Sequence, residues 1–457
     1  MNGTRQKSMT EKKIILKHAS TVLVGQLAVV AFGVTDTVIA GRYEPQALAV
    51  LSVSSAVYIS VYVSLLGVIQ ALLPIFAELF GAKKFESIGY HFRQALYVWC
   101  GLSVAGALIL LSPFFLLQLT QVPESIQPDI QAYLGALALA LPAALFFRLY
   151  SSLNQSIGKP RLITWIQIAA LLIKIPLSIL LTFGTSEIAG MGILGCAMAT
   201  VIVSVLMSLI AIWLLKTHPI YSGFQIWHSI EKPDVPKIIQ MAKLGIPNGL
   251  SVLIEVTSFT LMALFIARLG TLATASHQVA ANMTALIYMV PLSFSIAISA
   301  RLSYWKGAGH IENMRRVIKF GFQLIAMEAV AIALILIIFS ESIASIYAKD
   351  ESVMQLSAKL LLIVGFFHLG DAVQTLCFFI LRSFKIALLP FIVYAVMLWG
   401  IGLTGGYLLT YVGIAGLSPM ESPQGFWIMS SVALGLVCIC LTYIIKMNMP
   451  SEKVNQR

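Results

Sequence analysis

Stretches of about twenty or more nearly uncharged residues recur along this chain, and a backbone crossing hydrocarbon must satisfy its own N–H and C=O groups as a helix or in a closed barrel. The short alternating strands of a barrel are not seen, so helices are expected throughout. Twelve spans are predicted, near 16–41, 47–77, 94–118, 128–151, 161–184, 190–215, 238–268, 274–303, 317–341, 352–381, 386–411 and 425–446. With 59% hydrophobic and only 11% charged residues, the chain reads as an all-α, multi-pass membrane protein rather than a soluble domain.

The polar start, Met1 to Lys13, is followed by no signal-peptide pattern, and the first span is expected to stay in place. If that start is cytoplasmic, 25 of the 30 Lys and Arg fall at the cytoplasmic ends of the spans, against Arg42, Arg268 and Lys349 outside and Lys174 and Lys359 within spans. An even number of spans then puts both termini in the cytoplasm. The net charge of +11 is accounted for by this bias, and no aromatic-interleaved basic stretch suggests nucleic acid as a partner.

The chain repeats internally at an offset of 226 residues: Gly81-Ala82 matches Gly307-Ala308, Arg93 matches Lys319, and Tyr62 matches Tyr288. Two six-helix halves of the same orientation follow, as in parallel transporter repeats. The expected organisation is an N-lobe over 1–216, a cytoplasmic inter-lobe loop over 217–236 and a C-lobe over 237–457, with substrate between the halves.

Four acids interrupt the apolar runs: Asp36, Glu255, Glu328 and Asp371. A carboxylate at mid-bilayer costs roughly 2.5–3.5 kcal/mol on insertion scales, so such groups face an interior or water and mark function by default. Glu255 and Asp371 lie too deep to snorkel, and two carboxylates in one dry cavity call for a cation, H+ or Na+. The halves differ here, because Asp371 corresponds to Leu145, Lys174 to Gly400, and Asp36 and Glu255 to Met262 and Val29. Charges placed one by one read as ligands rather than scaffold.

The segments VTDTVIAG (Val34 to Gly41), GKPRLI (Gly158 to Ile163), GIPNGLSVLIEVTSF (Gly245 to Phe259), GDAVQTLCFFILRSFK (Gly370 to Lys385) and QGFW (Gln424 to Trp427) resemble the multidrug and toxic compound extrusion (MATE) transporters, NorM-type branch. The likeness runs from about residue 16 to 445. It implies two six-helix lobes around a central cleft and the export of cationic and amphipathic drugs in exchange for Na+ or H+. By position, Glu255 and Asp371 look like the family's carboxylate pair in the second lobe, and Asp36 like the acid of the first. A bacterial inner membrane, a monomer, small-molecule substrates and no cofactor beyond the coupling ion are expected with it.

Lys174 departs from that pattern. Where many NorM-type relatives carry Asn-x-Pro-Leu-Asn, this chain has Lys174-Ile175-Pro176-Leu177-Ser178. An ammonium and a hydroxyl replace two neutral donors, which puts a first-lobe Na+ site in doubt and makes Lys174 a candidate partner of Asp36, with Ser178 beside it. Gln278 and Asn282 share a face of the eighth span, and with Tyr288 and Met289 are candidates for the cleft. His368, one turn before Asp371, is a candidate proton relay. Glu328 belongs to no family motif and is read as peripheral or interfacial.

Other classes are excluded or set behind. The Tyr-Asp and Gly-x-Gly-Asp signatures of intramembrane aspartyl proteases are absent, as are Gly-x-Ser-x-Gly and His-Glu-x-x-His, so an enzyme is not expected. The loop Gly81 to Glu86 lacks a major-facilitator signature. A lipid-linked precursor flippase of the same superfamily is the nearer alternative, although its cleft is typically more cationic than this acidic interior.

Overall fold

In the computed structural model, residues 2–112, 123–187, 189–228, 231–414, 416 and 418–449 are described, with the side chains of 2–10 and 45 left aside. The basic residues Arg5, Lys7, Lys453 and Arg457 and the expected span end at 113–118 lie outside the described side chains or residues. Twelve helices are long and apolar enough to cross a membrane: α1 (Glu11–Tyr43), α2 (Gln46–Gly81), α3 (Phe85–Leu111), α4 (Glu124–Ser156), α5 (Pro160–Phe183), α6 (Ile193–Thr217), α7 (Val235–Ala267), α8 (Thr271–Gly307), α9 (Ile311–Ile338), α10 (Glu351–Ser383), α11 (Leu388–Val412) and α12 (Gln424–Asn448). Among the described residues the single β-type pairing is an isolated bridge between Gly184 and Ala189.

The chain divides into two compact units, Thr21–Gly249 and Met1–Ser20 with Leu250–Arg457. Each is built around one helix buried along most of its length, α4 in the former and α10 in the latter. In the former, α4 packs on α2, α3 and α6; in the latter, α10 packs on α8, α9 and α12. The same helices six places apart play the same parts, which is the sequence repeat in three dimensions.

Close helix contacts rest on small residues, as expected where lipid supplies no hydrophobic drive for helices to associate. The start of α7 lies so near α2 that a Cβ on Gly249 would meet the Ser64 carbonyl oxygen at 2.6 Å. The amide of Asn248 donates to the Gly67 carbonyl in the same contact. Residues 237–249 therefore pack with the first six spans. The N-terminal stretch is tied in the other unit, where Arg301 donates to both carboxylate oxygens of Glu11 at 2.6 and 2.7 Å and the Trp305 indole adds a third bond at 2.9 Å.

Arg93 and Arg382, basic residues that stand just outside the predicted spans, lie inside helices. For α3 the reason is visible. Its polar early turns pack against residues 225–228 and 231–234: Arg93 pairs with Glu231, Tyr90 donates to Asp234 at 2.6 Å, Tyr97 donates to the Glu231 carbonyl at 2.9 Å, and Gln94 takes the Asp234 N–H at 2.8 Å. Tyr221 completes the latch from Pro219–Phe224 with a 2.7 Å bond to Asn154 of α4. The Arg93 guanidinium pulls the Glu231 carboxyl down to about 2. Two other helices depart from regularity. α2 breaks at Ala71–Leu72 ahead of Pro74, and α11 widens into π-type turns over Ala395–Leu403 and Leu408–Val412.

Candidate functional site

In the unit Leu250–Arg457, α7 and α10 turn Glu255 and Asp371 into one cavity, lined also by Phe259 and Met262 of α7, Phe367 of α10 and Leu398 of α11. Asp371 is held by an amide that the sequence reading passed over. Gln374, three residues beyond Asp371 on the same helical face, donates from Nε2 to Asp371 Oδ1 at 3.1 Å and to Thr375 Oγ1 at 3.3 Å, within electrostatic reach of Glu255. Its own oxygen accepts from the Tyr394 hydroxyl of α11. An amide oriented by a phenol presents an N–H to the carboxylate, and so binds it in its charged form. Thr375, next in sequence, spends its hydroxyl on the Asp371 carbonyl at 2.7 Å.

Hydroxyls near Glu255 do not neutralise it. Thr257 bonds back to the Leu253 carbonyl at 2.6 Å, while Ser258 lines the cavity. Behind the cavity stands an aromatic wall in which Phe259, Phe367 and the fully buried Trp427 meet edge to face, with centroids 5.4 to 6.2 Å apart. Trp427 ends the QGFW segment, so that segment supports the site from behind.

The other candidates separate. Tyr288 lies within electrostatic range of Glu255 and Asp371 and bonds to Thr375, although neither Tyr288 nor Met289 lines the cavity. Gln278 and Asn282 are exposed and bond to each other at 2.9 Å, away from the carboxylates. Glu328, read as peripheral or interfacial, stands at the interface of α9 with α10: its side chain is 8% exposed and its Oε1 lies 3.1 Å from His368 Nε2. A single acid in an apolar run signals burial, but its partner, forty residues away, has no local signature. Arg382 is fully buried at the end of α10, its guanidinium 3.9 Å over the Phe379 ring and without a hydrogen-bond partner among the described residues. An aromatic face in place of an anion is a weak partner for a buried cation.

In the unit Thr21–Gly249 the structure brings Asp36 and Lys174 together, with Nζ 3.0 Å from Oδ1. The ammonium, 1% exposed, also donates to Thr200 Oγ1 of α6 at 2.6 Å and lies 5.8 Å over the Phe32 ring. Thr200 in turn donates to the Cys196 carbonyl at 3.0 Å. Ser178, one turn beyond Lys174, is buried but has no hydrogen-bond partner among the described residues, so it stands beside the pair rather than in it.

Ionisable side chains buried among twelve apolar helices define a multi-pass membrane protein. The chain belongs to the MatE family, whose model matches residues 22–180 and 247–408. The resemblance read from its segments is thereby borne out. It is 34% identical to a protein of Aromatoleum aromaticum named "Probable multidrug resistance protein NorM", over 97% of this chain and 96% of that one. It is 28% identical to "Multidrug resistance protein MdtK" of Yersinia pseudotuberculosis, over 96% of each. Among solved structures, the eukaryotic MATE transporter AtDTX14 superposes with a TM-score of 0.87 at 17% identity over 96% of each chain. The bent form of the Vibrio cholerae MATE transporter VcmN gives 0.83 at 18% identity, over 97% of this chain and 98% of that one. At such identities the structural likeness concerns the fold.

Proposed function

We propose that this protein is a cation-coupled antiporter that exports cationic and amphipathic compounds, a multidrug efflux transporter with Glu255 and Asp371 as its coupling site. The reading stands on one observation: both carboxylates open on the same cavity. Two anions so placed require a cation, and an inward-moving ion and a cationic substrate compete for the same charge. Phe259, Met262 and Phe367 add an adaptable apolar wall suited to varied amphipathic bodies. The names of the relatives support the same substrate class.

The coupling ion is H+ or Na+, with no resident cofactor. In the unit Thr21–Gly249 the Lys174 ammonium stands where a cation would neutralise Asp36, so the exchange falls to the other unit. The paired amides of Gln278 and Asn282 suit a water-facing stretch of α8 in the substrate path. In this reading the protein is a monomer in a bacterial inner membrane, and the distribution of Lys and Arg supports cytoplasmic termini. Efflux from everted vesicles under separately imposed Na+ and pH gradients tests the proposal. Export of a lipophilic cation that follows either gradient supports it, and export indifferent to both would sink it.

A further inference from the structure

Glu328 sits in the middle of α9, and His368 faces it from α10, with Nε2 and Oε1 3.1 Å apart and the two side chains 0% and 8% exposed. Glu328 Oε2 and His368 Nδ1 have no hydrogen-bond partner among the described residues. With one proton on the imidazole and another in the Nε2···Oε1 bridge, the pair is neutral overall. It is then imidazolium with carboxylate, or imidazole with carboxylic acid. Loss of the bridging proton to water, with the remaining ring proton moving from Nδ1 to Nε2, leaves neutral imidazole and carboxylate, a buried net charge of −1 with one hydrogen bond to hold it.

We propose that Glu328 and His368 form a second ion-coupling site, one that takes a proton and no metal ion, and that its occupancy sets how strongly the Glu255–Asp371 cavity attracts a cationic ligand. The choice of ion follows from the donors. An alkali cation needs several oxygen ligands, whereas this site offers one carboxylate and an imidazole that repels cations once protonated. The effect on the cavity follows from position, since His368 is one helical turn before Asp371 on α10 and both members of the pair act on Asp371 electrostatically. An emptied pair adds a negative charge beside the cavity and favours a cation there, and a loaded pair removes it. Linkage makes the antagonism reciprocal.

The titratable groups facing this part of α10 are Asp371 on α10 itself, Glu255 on α7, Tyr288 on α8, Tyr394 on α11 and Cys438 on α12. Arg382 lies at the far end of α10, and Glu341 on the short helix Ser340–Tyr347 is exposed. None of them touches the pair as Glu328 and His368 touch each other.

The cargo in this inference rests on the exporter reading, so the test separates the two. Purified protein is titrated for proton uptake from alkaline to acid pH, and the affinity for tetraphenylphosphonium is measured across the same range. Glu328→Gln with His368→Gln, which keeps polar side chains of similar size without titration, should take up one proton fewer and flatten the pH dependence of probe affinity by about tenfold. Wild-type proton uptake and pH dependence in a double variant that still binds the probe would overturn the site. If that variant does not fold, Glu328→Gln alone is judged by the same measurements and the same outcomes. Gradient-driven efflux by the unmodified protein is followed in parallel. Its absence would sink the exporter reading while leaving the proton count to decide the site.

Discussion

Both units bury a carboxylate where the bilayer would make it costly, and they answer that cost differently. In the unit Thr21–Gly249, Asp36 has an ammonium from its own chain 3.0 Å away. In the other unit Glu255 and Asp371 have only a neutral amide and an aromatic wall. Helix packing is the same on both sides, α4 on α2, α3 and α6 matching α10 on α8, α9 and α12, so the repeat fixes the scaffold and not the chemistry. A duplicated fold has been given one closed electrostatic site and one open one.

The largest test of that contrast is on the open site. Glu255→Gln or Asp371→Asn should reduce gradient-driven efflux of a lipophilic cation to background while the protein still inserts and folds, because an antiporter needs the titratable anion. Wild-type efflux in either folded variant would place coupling elsewhere. Next comes the closed site. Lys174→Ala should cost about 3–5 kcal/mol by stranding a buried carboxylate, and Lys174→Ala with Asp36→Asn should recover most of it. Thermal unfolding of the two single variants and the double variant in detergent reads this directly, and strictly additive effects would show that the residues are energetically independent.

A smaller effect is expected at Gln374. Gln374→Leu removes a hydrogen bond to a charged acceptor, worth about 1.5–3 kcal/mol, and should weaken rather than abolish efflux. A loss as complete as that of Asp371→Asn would make the amide a ligand in its own right. The smallest effect concerns the latch on α3. Glu231 is shifted from its ordinary 4.5 to about 2 by Arg93, so its contribution is complete above pH 4.5 and disappears as pH falls through about 2. With the Glu231 side chain 32% exposed to screening solvent, such a pair is worth about 0.2–1 kcal/mol. Pepsin cleavage within 217–236 should therefore become only modestly faster over that window, with Arg93→Ala already at the faster rate above it; equal rates for both proteins would mean that the bridge does not hold the segment.

The sequence made the twelve spans legible because hydrocarbon leaves so few ways to satisfy a backbone. The isolated charges were legible because each is costly to bury. Asp36 and Lys174 could be paired on paper, since Lys174 stands where the resembled family carries a neutral donor and Asp36 looks like the acid of the same lobe. Gln374 could not, because a neutral amide in an apolar run looks like its neighbours until Glu255 is brought to it. Glu328 and His368 lie on different helices, and no spacing rule links them. The early start of α3 was hidden for a related reason: Glu86 and Arg93 look like a loop, and in the helix they are partnered by Gln225 and Glu231 from far along the chain.

The Lys174 ammonium has a consequence in terms of mass action. An ion drawn from solution fills a site in proportion to its concentration, but a tethered one has an effective concentration set by the chain and unchanged by the medium. Asp36 is therefore neutralised alike in low salt and high salt, and the unit that holds it takes no reading of the ions on either side of the membrane.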